Sequence, residues 1–148
     1  MKKPVLAFVT TLALISSIFL LRSHLGKSNQ EADAAAVRAV VETYIKADLD
    51  GATLGTDNFE KSGLDRILIP GEEVASGWDN VSLVKAYKIN SIQTRNEKGR
   101  QLAIATVAYE VVGEVPGAVE VVKRNETENY QFRLVKQDKE WKLIEPYD

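Results

Sequence analysis

The chain has no cysteine and a single histidine among its 148 residues. Without cysteine it can form no disulfide framework, no thiol nucleophile and no cysteine-held zinc or iron–sulfur centre. The one histidine, His24, lies near the N-terminus, so the rest of the chain holds no imidazole. This excludes histidine general-base catalysis, Ser–His–acid triads and histidine-held metals from that part. No metal and no cofactor is therefore expected.

Residues 1–27 are predicted to be a membrane-targeting segment. Lys2 and Lys3 precede residues 4–21, which form a run of 18 residues without a charge. A helix of that length measures about 27 Å, close to the hydrocarbon thickness of a bilayer. The only small-residue pair resembling a signal-peptidase site is at residues 32–34, beyond a charged stretch. The segment is either a retained anchor, which is the favoured interpretation, or a cleaved signal peptide.

The charge pattern predicts where the remainder of the chain lies. Four of the 19 basic residues and none of the 21 acidic ones fall within residues 1–27, so the rest has 15 basic and 21 acidic residues, a net charge of −6. Because basic residues stay on the cytoplasmic side, the domain from residue 28 onward is expected outside the cytoplasm. It is held at the cell membrane through residues 4–21 or, if cleaved, secreted or periplasmic. An acidic domain of this kind is not expected to bind nucleic acid.

Helical periodicity begins shortly after the targeting segment. Residues 31–50 predict a helix that ends at Gly51. Its apolar positions fall on one face: Val37, Val40, Val41, Tyr44 and Ile45. Thr56 is expected to cap a second helix, which Pro70 ends. Residues 71–80 then form a loop.

Strand-like patterns occupy the C-terminal half. Strands are predicted at residues 81–94, 102–115 and 119–134, followed by a last strand containing Trp141 and Leu143. Hairpin turns are predicted at residues 96–99 and 137–140. The apolar phase of the second strand shifts between Ile104 and Val107, which predicts a bulge there. The third strand carries a possible break at residues 124–125.

Helices followed by a meander of strands indicate an α+β fold. The N-terminal helices are expected to pack on one face of a bent antiparallel sheet of about four strands. No internal repeat interrupts residues 28–148, which therefore form one domain.

The chain resembles the nuclear-transport-factor-2-like superfamily, whose members are α+β cones. Two stretches carry the resemblance: VETYIKADLDG at residues 41–51, similar to the family's helix exit, and DKEWKLI at residues 138–144, similar to its charged turn followed by Trp-x-apolar-apolar. The resemblance implies a possible pocket between the first helix and the sheet. Enzyme members place histidine or aspartate with a tyrosine there, whereas other members are binding or assembly modules. Residues 28–148 lack the histidine, and no strand-borne acidic residue is predicted to face the interior.

Asp48 is the most interesting polar residue of the first helix. On a helical wheel it falls with Val37, Val41 and Tyr44. It is either a desolvated carboxylate that acts as a general base at the pocket mouth or a solvated residue where the helix projects past the core. The latter interpretation is favoured, because buried unpaired carboxylates are rare.

Aromatic residues supply the other pocket candidates. Four tyrosines can line a pocket and donate hydroxyls, or fill the core with solvated tips: Tyr44, Tyr87, Tyr109 and Tyr130. Trp78 is either a plug over the mouth or an exposed contact, and Trp141 is expected in the core. Acidic Glu72, Glu73 and Asp79 lack the spacing of a calcium loop.

The favoured function is a non-catalytic extracytoplasmic binding or assembly domain, with no catalytic residue assigned. Its expected partners are a small apolar ligand and a protein partner or second copy that docks on the sheet. The alternative is a small-molecule-binding cone, or an isomerase-type or hydrolase-type cone enzyme, that uses Asp48 and a pocket tyrosine. Fold alone does not choose between them.

Overall fold

The computed structural model describes residues 28–54, 56–69, 80–116 and 120–145. The predicted targeting segment and the predicted loop with Trp78 lie outside these residues. No helix among the described residues is long and apolar enough to cross a membrane. Residues from Ala34 to Asp148 form one compact unit, to which the packing below refers.

The chain has an α+β fold with two α-helices, a 3-10 turn and four strands within the described residues. The helices are α1 (residues 28–49) and α2 (Thr56–Ser62), followed by the 3-10 turn Leu64–Arg66. The strands are β1 (Asn80–Glu97), β2 (Arg100–Pro116), β3 (Val122–Gln137) and β4 (Glu140–Glu145). The order β1-β2-β3-β4 and the antiparallel pairing confirm the predicted four-stranded meander.

Two-residue turns join β1 to β2 and β3 to β4. Lys98 and Gly99 have φ angles of 50° and 81°, and Asp138 and Lys139 have 51° and 71°. Two successive positive φ angles are the mark of a type I′ turn, whose twist matches that of paired strands. Both predicted hairpins are confirmed.

The predicted bulge between Ile104 and Val107 is wrong. Burial in β2 alternates without interruption from Ala103 to Val111, so the phase does not shift. Ala103 and Ala105 face the core, and the larger Leu102 and Ile104 lie half-buried on the other face. The reason is packing: Ala103 is paired with Leu134 and Ala105 with Phe132, and these large neighbours fill the space beside the alanines.

Irregular pairing does occur elsewhere in the sheet. Val111 is paired with Glu126 and Gly113 with Lys123, so β3 inserts an extra residue at 124–125. The break predicted at this point is therefore a bulge inside a continuous strand. Three further shifts lie in the pairing of β1 with β2. Bulges bend a strand and increase its twist, which re-aims the side chains near them.

Helix α1 packs its apolar face against the sheet. Four of its residues are completely buried, namely Val37, Val41, Tyr44 and Ile45, and Val40 is half-buried. The rings of Tyr44 and Phe132 meet edge to face at 5.7 Å. The helix ends as predicted at Gly51, whose φ of 83° is easy only for glycine. The Gly51 N–H donates a hydrogen bond to Asp48 O, and the Ala52 N–H donates one to Ala47 O, each at 2.9 Å. These two hydrogen bonds form the Schellman motif.

The second helix is shorter than predicted. Gly63, with a φ of 73°, ends it and leads into the 3-10 turn with buried Leu64. Beyond that turn, Leu143 N–H donates to Ile67 O at 2.7 Å and Ile69 N–H donates to Leu143 O at 3.0 Å. This segment thus pairs with β4, where Trp141 and Leu143 are buried as predicted.

Candidate functional site

A cavity of about 510 Å³ lies between the C-terminal end of α1 and strands β1, β2 and β3. Its volume falls in the range of small-molecule pockets. Its apolar lining consists of Leu49, Leu54, Val81, Leu83, Val84 and Val111. Its polar lining consists of Asp48, Thr53, Ser82, Tyr109, Glu128 and Tyr130, with Gly51 beside them. An apolar wall with a few polar groups is typical of a ligand site.

Asp48 reaches the cavity wall because it lies in the last turn of α1. The Schellman motif turns the chain back, and Thr53 follows as a residue only 2% exposed. The Thr53 hydroxyl donates a hydrogen bond to Asp48 Oδ1. Asp48 itself is half-buried. It is therefore neither a core carboxylate nor a fully solvated helix end, and the bond from Thr53 holds it at the wall.

Three tyrosines form a row across β1, β2 and β3. Tyr87 is paired with Tyr109, and their ring centroids are 6.4 Å apart. The rings of Tyr109 and Tyr130 meet edge to face at 5.4 Å. Such contacts between aromatic rings on neighbouring strands stabilise a sheet.

Tyr109 is the central member of the row and is 4% exposed. Its hydroxyl is buried and has no hydrogen-bond partner among the described residues. Burial raises the pKa of this phenol far above its usual value of 10.0, and the charge of Asp48 raises it further. The side chain is therefore neutral over the ordinary pH range, where its hydroxyl can donate or accept a hydrogen bond but cannot act as a base.

Tyr130 is tied to charged residues of its own strand. Its hydroxyl donates to Glu128 Oε2. Burial, followed by this hydrogen bond, raises the pKa of Tyr130 to about 12. Arg124 lies 3.6 Å from Glu128, and also 3.1 Å from Glu114 and 3.0 Å from Glu126. The carboxylate of Glu128 is thus partly balanced by a neighbouring cation.

Only some of the predicted pocket residues line the cavity. Asp48, Tyr109 and Tyr130 line the cavity. Tyr87 contacts Tyr109 but is not a lining residue, and Tyr44 is buried in the core against Phe132. Trp78, as stated, lies outside the described residues.

Sequence reasoning missed Thr53 and Glu128. The expectation that no strand-borne acidic residue faces the interior is wrong, because Glu128 lines the cavity. The signal was present: Glu128 precedes Tyr130 by two residues, so the alternation of β3 places both on one face. Thr53 offered a weaker signal, its position two residues after a helix-ending glycine.

The solvent-exposed part of the cavity lining consists of two leucines and the polar residue Ser82. The lining residues Leu49 and Leu83 are 46% and 36% exposed. A Cβ added to Gly113 would lie 3.2 Å from Leu83 Cδ1 and 3.4 Å from Val121 Cγ1, so Val121 continues the same surface. Val121 is the most exposed of the three, at 60%.

No group of three or more acidic, histidine or cysteine side chains that could hold a metal ion occurs within the described part of the chain. Comparison with known proteins adds no assignment: no family model, no curated protein and no solved structure matches this chain. The resemblance to the nuclear-transport-factor-2-like superfamily therefore stays a prediction from residues 41–51 and 138–144.

Proposed function

We propose that this protein is a non-catalytic extracytoplasmic binding domain of the nuclear-transport-factor-2-like kind, a cone whose cavity holds a small, largely apolar molecule. The cavity at the end of α1 carries this proposal. It has the volume of a ligand site, and its described lining contains six apolar and six polar side chains. The bulges of β1 and β3 support the bent sheet that a cone requires.

The location in this proposal is supported by the N-terminal sequence. Lys2 and Lys3 before the uncharged residues 4–21 favour a single span with the domain outside the cytoplasm, or export after cleavage. A reporter fused after Asp148 tests this. A reporter enzyme that is active only outside the cytoplasm should be active in this fusion. Activity of a reporter that functions only in the cytoplasm would contradict the proposed location.

A second candidate function is acid–base catalysis, favoured by one observation. Asp48 and Tyr109 line the same cavity, as a carboxylate base and a neutral phenol would in an isomerase or hydrolase. Compounds that bind to the cavity separate the two functions. A bound compound that is converted, with conversion lost in Asp48→Asn, would establish the catalytic alternative.

Docking of a protein partner or second copy on the sheet also remains a proposal. Val112, which is 40% exposed, lies next to inward-facing Val111 and so on the opposite face of β2. Sedimentation of wild type and Val112→Lys tests it, since a lysine at the centre of such an interface would separate the copies.

Blocking the cavity tests ligand binding directly. Val84 is a half-buried lining residue, and Val84→Trp places a large ring in the cavity. Gln93→Trp is the matched control, because Gln93 is an exposed residue of the same strand and does not line the cavity. In a screen of small apolar compounds by ligand-observed NMR, we expect binding to wild type and to Gln93→Trp and none to Val84→Trp. Equal binding to all three would contradict the proposed site.

A further inference from the structure

Strand β1 lies at one edge of the sheet, and its outer edge has no partner within the described part of the chain. The order β1-β2-β3-β4 leaves β1 paired with β2 alone. No other backbone hydrogen bond between described residues reaches β1. A row of unpaired N–H and C=O groups at a sheet edge is a template on which another extended chain can pair. At the opposite edge of the sheet, residues 67–69 already pair with β4.

Bulges limit where a strand can be added to β1. In the pairing with β2, Lys85 and Asn90 are extra residues of β1, and each marks a bulge. Bulges bend a strand and protect a sheet edge against pairing along its whole length. The shift between Leu83 and Val84 instead adds a residue to β2. Residues 81–84 are therefore a regular stretch of the edge, long enough to pair with a short segment.

The same stretch forms part of the cavity wall. Val81, Ser82, Leu83 and Val84 are successive residues of β1, and all of them line the cavity. Successive side chains of a strand point to opposite faces, so a wall of successive residues includes the backbone of the strand as well as one face. Ser82 and Leu83 are exposed to solvent. The edge is therefore accessible where it borders the cavity.

A strand added at this edge would direct alternate side chains toward the cavity. Leu83 is paired with Gly113, which is buried and lies two residues after inward-facing Val111, so Leu83 is on the inner face. Side chains of an added strand that point to this face would lie beside Leu83, because neighbouring strands are about 4.8 Å apart. Leu49, at the end of α1, lines the same cavity and is 46% exposed. An apolar side chain placed here would remove the surface of both leucines from water, which favours its binding.

Two lysines follow this stretch on the outer face of the sheet. Lys85 lies 3.9 Å from Glu110, in an exposed pair of the kind that contributes little. Lys88 is exposed, is paired with Ala108 in the ladder and forms no ion pair with a described residue. Because residues 81–94 include no acidic residue, the edge favours a partner with acidic side chains on the outer face. A second copy of the chain is disfavoured, since it would add two more lysines, and like charges on neighbouring strands are destabilising.

We infer that residues 81–84 bind an extended, acidic segment of a partner protein, which adds a strand to β1 and places one apolar side chain in the cavity. This inference rests on the proposed function, because it assigns the apolar occupant of the cavity to a peptide. In strand addition, backbone hydrogen bonds supply the affinity and a pocket for a side chain supplies the specificity. Small apolar compounds then bind to the cavity as mimics of that side chain.

The parent probe is the peptide acetyl-Thr-Glu-Leu-Glu-Thr-amide, whose leucine and glutamates point to opposite faces when it is extended. Titration calorimetry is carried out on the full chain in nanodiscs of phosphatidylcholine, with empty nanodiscs subtracted. We expect a Kd below about 1 mM, and an affinity about tenfold lower when alanine replaces the leucine. The peptide acetyl-Glu-Thr-Leu-Thr-Glu-amide has the same composition but turns its glutamates away from the lysines. It should bind about threefold more weakly than the parent.

N-methylation separates strand pairing from other modes of binding. One version of the parent peptide is methylated on the leucine amide, and another on both glutamate amides. Alternate residues of a strand direct their N–H groups to the same neighbour, so only one version loses its hydrogen bonds to β1. We expect an affinity loss of about tenfold in one version and of less than about twofold in the other.

Variants of the chain locate the binding. Val84→Trp fills the cavity, so the leucine and alanine peptides should bind to it equally, whereas Gln93→Trp, on the same strand outside the cavity, should keep the tenfold difference of about wild type. Lys85→Gln should lower the affinity for the parent peptide about threefold. Lys98→Gln is its control, because Lys98 is an exposed residue of the turn at the other end of β1, and it should leave the affinity unchanged.

The outcomes separate this inference from the proposal on which it rests. A parent peptide that fails to bind, or that binds no better than its alanine counterpart, would overturn the inference, while binding of small apolar compounds would still support the proposed function. Equal effects of the two N-methylated versions would also overturn it. So would an affinity that falls as the protein concentration rises, because a second copy would then occupy the edge. If neither the peptides nor the small compounds bind, the inference and the proposed function both fail.

Discussion

Replacing Trp141 by alanine tests whether β4 is part of the folded core. The indole is 4% exposed in β4, and Lys136 Nζ lies 5.6 Å from its ring centroid. Truncating a buried tryptophan costs about 3–5 kcal/mol through lost burial and the cavity left behind. That is a large share of the about 5–15 kcal/mol by which domains are usually stable.

The corresponding change in melting temperature follows from the size of the compact unit. Unfolding entropy is about 2.1 cal/mol/K per residue, or about 0.24 kcal/mol/K for the 115 residues from Ala34 to Asp148. A loss of about 3–5 kcal/mol therefore lowers the melting temperature by about 12–20 °C. The assay is thermal unfolding of a fragment starting at Ser28, followed by circular dichroism.

Two matched variants separate burial from the cation–π contact. Trp141→Phe keeps most of the buried ring and should lose less stability than Trp141→Ala. Lys136→Gln removes only the cation and should cost no more than about 1 kcal/mol, because this contact is worth about 0.5–1 kcal/mol near the surface. A melting temperature of Trp141→Ala within a few degrees of wild type would refute the packing of β4 described above.

Three further predictions concern stability. Asp48→Asn and Asp50→Asn should each stabilise the fold by about 0.3–1 kcal/mol in urea unfolding, because a negative charge at a helix C-terminus opposes the helix dipole; a loss of stability would contradict this. Gly51→Ala should cost about 1–2 kcal/mol, since alanine resists the φ of 83° that ends α1, and an unchanged urea midpoint would refute that reason. The fold should lose stability as the pH rises from 10 to about 12, because Tyr130, with its raised pKa, keeps a proton that the unfolded chain releases at 10. The pH dependence of the urea midpoint should be shallower in Tyr130→Phe, and an equal slope would contradict the assignment.

The fold was largely predictable because local signals agree with the tertiary packing. The face of α1, its end at Gly51 and the two hairpins follow from periodicity and turn residues. The inward face of the first half of β2 was not predictable from hydrophobicity. Ala103 and Ala105 are buried while the larger Leu102 and Ile104 are not, because Leu134 and Phe132 fill the core beside the alanines.

The candidate site was predictable only in part. Asp48, Tyr109 and Tyr130 were identified by residue type and face. Tyr44 was indistinguishable from them in the sequence, and what separates it is the depth at which α1 meets Phe132. The contact of Thr53 with Asp48 depends on how the chain reverses direction after α1. Thr53 lies beyond the end of the helix, so helical periodicity could not place it.

The pairing of residues 67–69 with β4 has a consequence for the order of folding. Each strand of the meander pairs with its neighbours in sequence, and two of the connections are two-residue turns, so these hairpins close short loops and form quickly. The hydrogen bond from Leu143 to Ile67 instead joins positions 76 residues apart and can form only after the sheet has brought β4 into place. We therefore expect the hairpin β1–β2 to gain protection of its amides first during refolding, and the amide of Leu143 to gain it last. The pairing of residues 67–69 with β4 is then the last step that completes the domain.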